Sequence, residues 1–137
     1  MRKATIALFL ALLCISTANG KPHGRFGNIV AMVATGSFIA TVADTEVQAG
    51  SQTDESEDLK TLADYFHKGI AESRGHAALT AALKDYYSTM RALLSNLDPR
   101  IGEPELLYKA RINALETNAD NAKARLNSEL EALGVTP

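Results

Sequence analysis

The strongest constraint on this chain is a pair of apolar stripes in its second half. Large apolar residues recur at Leu79, Leu83, Tyr86, Met90, Leu93 and Leu97, in alternating steps of four and three. A second set follows at Tyr108, Ile112, Leu115, Ala119, Ala122, Leu126, Leu130 and Leu133, again in steps of three and four. Such steps keep side chains on one side of an α-helix, whereas a strand would send them to both faces. Each stripe must be covered, and near-heptad spacing suits another helix. An earlier stretch adds Leu59, Leu62, Phe66 and Ile70 at helical spacing.

The punctuation divides this region. Ser51 or Thr53 can cap a first helix, with Asp54, Glu55, Glu57 and Asp58 placed well for the positive end of its dipole. Gly75 either separates two helices or sits within one long helix at a cost of about 1 kcal/mol. Asn96 to Gly102 breaks the chain around Pro99, and Pro104 suits the first position of the next helix, followed by Glu105. Gly134 stands where a helix-ending glycine belongs. The loop after Leu97 is short, so its two helices pack antiparallel. Ala119 and Ala122 thin the last stripe and let a neighbouring helix come close. The expected fold is all-α, and residues 51–137 form an antiparallel helical hairpin, or a three-helix bundle if Gly75 breaks the chain.

Residues 21–50 are an apolar segment and linker. Ile29 to Ala43 carries no charge, while Asp44 to Glu57 is polar and acidic. As a helix, fifteen residues span ~22 Å, short of a ~30 Å hydrocarbon core. Gly36 and Ala40 give it the small-residue spacing of closely packed helices. Three readings stand: a membrane-contacting helix, a helix in the bundle core, or a β-hairpin turning at Ala34-Thr35-Gly36-Ser37.

Residues 1–20 have the order of a secretory signal peptide: Arg2-Lys3, an apolar run from Ala4 to Ile15, then small residues. Cleavage fits after Ala18 or after Gly20. The sole cysteine, Cys14, lies inside that run, so the mature chain has no thiol for disulfides, zinc or catalysis. Leu13 before it departs from the small residue that lipoprotein signals carry there. The mature chain of 117 residues holds 12 basic and 16 acidic groups, a net charge of −4. That balance gives no electrostatic case for nucleic acid. The expected location is periplasmic or secreted, with membrane association through Ile29–Ala43 as the alternative.

No constellation for chemistry stands out. His23, His67 and His76 lack zinc-ligand spacing, and Pro22 blocks an N-terminal copper site because it has no amide hydrogen. Ser88, Ser95 and Ser128 have no neighbouring histidine. Tyr86 and Tyr108 sit on the stripes and read as core residues with wet hydroxyls. Glu103 and Glu105 read as helix-start charges, and Lys84, Asp85, Arg91, Arg111, Glu116, Asp120, Lys123, Arg125, Glu129 and Glu131 as a solvated face. The expectation is therefore a non-enzymatic interaction protein without cofactor or metal. It would self-associate or dock on a protein partner through its two stripes. A minor alternative is a bundle that holds an apolar small molecule among Phe66, Tyr86 and Met90.

Overall fold

The structure is a computed structural model that describes residues 25–49 and 55–136. The signal-peptide reading, Cys14, His23 and the Ser51 and Thr53 caps lie outside the described residues. Four helices occupy the rest: α1 (Gly27–Gln48), α2 (Ser56–Glu72), α3 (Ala77–Ser95) and α4 (Glu105–Ala132). No strand occurs among the described residues.

Helix α1 settles the ambiguous segment as a helix and removes the β-hairpin reading: Ala34 to Ser37 lies mid-helix. Ala31, Ala34, Ala40 and Ala43 favour that state. Thr41 and Thr45 return their hydroxyls to the Ser37 and Thr41 carbonyls, 3.0 Å each, so their polar groups cost the helix little. Ile29, Met32, Val33, Ile39 and Ala43 are buried in the shared core. The helix also runs past the boundary expected at Asp44, through to Gln48. Val47 continues the inward-facing row after Ala43 and packs on the core, which gives those residues a reason to stay helical.

Nothing within α1 caps its start. The Glu72 carboxylate, at the far end of α2, accepts hydrogen bonds from the Asn28 backbone N–H (2.9 Å), the Ile29 N–H (3.3 Å) and the Asn28 side chain (2.5 Å). Orphan donors and a positive dipole end are thereby met by a negative charge from another helix. The contact joins the end of α2 to the start of α1, so the two run antiparallel.

Gly75 does break the chain. Its φ of +85° is a left-handed conformation that glycine adopts without penalty. Ser73, buried in this turn, shares a 2.7 Å hydrogen bond with Thr80, which ties the end of α2 to the first turn of α3. Helix α4 begins at Glu105, with Pro104 one place earlier than expected, in extended conformation before the first turn. It ends as Gly134 implies. The Gly134 N–H donates to Glu131 O (2.9 Å) and Val135 N–H to Leu130 O (3.0 Å), the paired bonds of a Schellman ending.

The four helices alternate in direction. Helix α3 packs along both α2 and α4, while α1 packs on α2 and reaches α3 as a parallel neighbour. Phe26 meets His76 edge-on at 5.4 Å, and ten residues further along both helices Gly36 meets Tyr86. Helix α4 is held chiefly by α3, and its side towards α1 stays ajar.

Candidate functional site

Both stripes are spent on the interior. Leu79, Leu83, Tyr86, Met90, Leu93 and Leu97 are buried, as are Ile112, Ala119, Ala122, Leu126 and Leu130. Tyr108, Leu115 and Leu133 lie half-buried at the core's edge. These residues meet other helices of the same chain. The large apolar side chains that stay exposed among the described residues lie off the stripes: Ile101, Leu106 and Leu107, at the turn between α3 and α4.

That turn is tightly built. Arg111, two turns into α4, reaches back with Nε to Glu103 Oε2 (2.9 Å) and Nη2 to Glu103 Oε1 (2.8 Å). The same guanidinium donates to the carbonyls of Asn96 (2.6 Å) and Asp98 (3.1 Å), just past the end of α3. It also lies over the Tyr108 ring, 5.4 Å from the centroid, and the Tyr108 hydroxyl donates to Leu97 O. Glu103 accepts in addition from the Arg100 N–H at 3.1 Å. The Arg111 hydrogen bonds, then the Arg100 amide, hold the Glu103 carboxyl down at about 2. The side chains of Arg111 and Glu103 are only 16% and 10% exposed. Arg111 is therefore not part of a solvated face, and Glu103 answers to Arg111 rather than to the helix start. Glu105, by contrast, pairs within α4 with Lys109 at 2.7 Å, where both side chains are exposed.

The second feature is a crevice of about 240 Å³ between α1 and α4, floored by α3. Ser37, Ala40, Thr41 and Asp44 line one wall, Glu116, Ala119, Asp120 and Lys123 the other, and Tyr86, Met90 and Leu93 the floor. Asp44 and Glu116 line the gap from opposite walls. Burial, then the Asp44 charge, pushes the Glu116 carboxyl up to about 7. Tyr86 is not a residue with a wet hydroxyl: only 1% of it is exposed, and its ring end fits the notch left by Gly36. Burial, with Asp120 nearby, raises its phenol above the ordinary value.

Other candidates are dispersed. Tyr86 and Met90 share the crevice, but Phe66 stacks on Tyr87 at 4.2 Å on the α2 side, so the three do not enclose one cavity. His67 is exposed beside Phe66, and His76 sits before α3 near Arg25. No group of three potential metal ligands converges among the described residues. The sequence signal for the built turn was an acid and a base eight residues apart across a Gly-Glu-Pro break, a pattern outside the helical i, i+4 rule. Comparison with known protein families, curated proteins and solved structures found no match.

Proposed function

We propose that this chain is an exported, non-enzymatic helical protein that works by protein contact, with the α3–α4 turn as its contact surface and a second copy of itself as the partner. The observation that carries this reading is a pinned turn presenting apolar side chains to solvent: Ile101 fully exposed, Leu106 82% and Leu107 61% exposed. A rigid apolar surface loses little entropy when covered. Asp98, Arg100, Glu105 and Lys109 border it, all exposed and of both signs. A patch of mixed charge can oppose itself about a two-fold axis, acid against base. Burying an aliphatic side chain contributes about 1.5–3 kcal/mol, and association costs about 4–15 kcal/mol. Three residues from each copy leave a weak association, in roughly the micromolar to millimolar range. Export rests on the order of residues 1–20.

Light scattering coupled to size exclusion, over a wide concentration range, tests the reading. The expected result is a mass that rises with concentration and falls back to the monomer's in an Ile101→Asp, Leu106→Asp, Leu107→Asp variant. A monomer at every concentration refutes it.

A second reading places α1 against a membrane. Gly27–Val47 is long and apolar enough to cross one, with mean hydropathy 1.3, although 39% of it is buried within the bundle. Release of the intact protein from cells by a salt wash counts against this reading.

A further inference from the structure

We propose that the crevice between α1 and α4 binds a small organic amine, with its ammonium group among the Asp44, Glu116 and Asp120 carboxylates and its hydrocarbon body on Met90 and Leu93. The lining has the same two characters as such a ligand. Ala40, Ala119, Met90 and Leu93 offer apolar surface, and methionine adapts to the shape laid against it. The carboxylates come from both walls, Asp44 from α1 and the other two from α4. Lys123 is the single base that lines the crevice with them among the described residues. Glu116 and Asp120 stand four residues apart on one helix, a like-charge spacing that an arriving cation relieves.

Tyr86 points to a ligand independently of these charges. The residue is 1% exposed, and its hydroxyl has no hydrogen-bond partner among the described residues. Ser37 stands beside it without completing a bond. The oxygen lies against Gly36, which itself lines the crevice, so the phenol end is turned to that side. A buried hydroxyl without a partner carries a desolvation cost, which an N–H donor in the crevice offsets. Size and spacing then select the class of ligand. About 240 Å³ is roughly the liquid volume of eight waters, below the usual range of drug-sized sites, so the ligand is small. No three potential metal ligands converge among the described residues, so the carboxylates are too dispersed to share one bare metal ion and suit a larger ammonium group. Three carboxylates against one lysine repel an anion. This inference does not depend on self-association through the α3–α4 turn.

2-Phenylethylamine titrated into the full chain, followed by NMR at pH 8, is the test; Glu116 titrates at about 7 and is ionised there. The expected result is saturable shifts of the Met90 methyl and of the Ala40 and Ala119 amides, with a Kd in roughly the micromolar to millimolar range. 2-Phenylethanol has a similar shape without the charge and should bind at least about tenfold more weakly. An Asp44→Asn, Glu116→Gln, Asp120→Asn variant should lose about tenfold or more in affinity for the amine and treat the alcohol as the unaltered protein does. Ala40→Leu, which fills the crevice, should bind neither, and circular dichroism confirms that each variant is folded. Shifts that do not saturate overturn the proposal, as does equal affinity for amine and alcohol or undiminished amine binding by the triple variant. The comparison of amine with alcohol needs no variant and decides the matter should one fail to fold.

Discussion

Gly36 and Tyr86 offer a test of how α1 docks on the bundle. A Cβ added at Gly36 would lie 2.1 Å from the Tyr86 hydroxyl oxygen and 3.1 Å from its Cζ. The Tyr86 ring is buried, so it cannot swing clear without disturbing its neighbours. Overpacking of this kind costs about 1–3 kcal/mol. Replacing a mid-helix glycine by alanine contributes about 0.5–1 kcal/mol in the other direction. Gly36→Ala should therefore destabilise the protein by about 1–2 kcal/mol, a fall in Tm of about 4–10 °C for a domain of this size. In a Tyr86→Phe background the 2.1 Å contact is gone, and the nearest ring atom stands at 3.1 Å. There the same substitution should be neutral or stabilising by up to about 1 kcal/mol. Thermal unfolding of the four proteins in this cycle measures the coupling directly. An equal shift in both backgrounds, or a higher Tm for Gly36→Ala alone, would refute the close approach of α1 to α3.

Two further outcomes follow from the packing and the turn. Leu126 is 0% exposed in the last third of α4, so Leu126→Ala should cost about 2–5 kcal/mol in urea unfolding, and a loss below about 1 kcal/mol would show that α4 is not seated as described. Arg111→Ala should return the Glu103 carboxyl from about 2 to the ordinary range, seen by NMR titration, and should speed amide exchange from Asn96 to Glu103. Because Glu103 titrates below its ordinary range, its contribution to the turn is present above about pH 4.5 and is lost as the pH falls through about 2, a dependence the variant should lack.

What the sequence made legible is the part of the fold governed by local period. The stripes from Leu79 and from Tyr108 point inward because steps of three and four fix a helix face whatever covers it. Helix α1 had no such period. A run apolar on every side fits helix or strand equally. Its state is decided by contacts made far along the chain, Glu72 on Asn28 and Tyr86 in the Gly36 notch. The polar residues were misplaced for a related reason. Asp44 looked like the start of a linker and Arg111 like a solvated charge, since neither falls on a stripe. Asp44 lies within α1 and lines the crevice opposite Glu116, and Arg111 pairs with Glu103 across the start of α4.

The small residues were read correctly as to place and incompletely as to effect. A short side chain lets a neighbour approach only if something fills the space it leaves. At Gly36 the Tyr86 ring does so, and the α1–α3 contact closes. One face further round, Ala40 and Ala119 line opposite walls of a crevice that stays open. Unfilled space forfeits the dispersion contacts that would otherwise bind two helices. Along the α1–α4 seam, therefore, packing supplies less of the cohesion than it does between α3 and α4. A larger apolar residue in place of Ala119 would fill part of that space and tighten the seam.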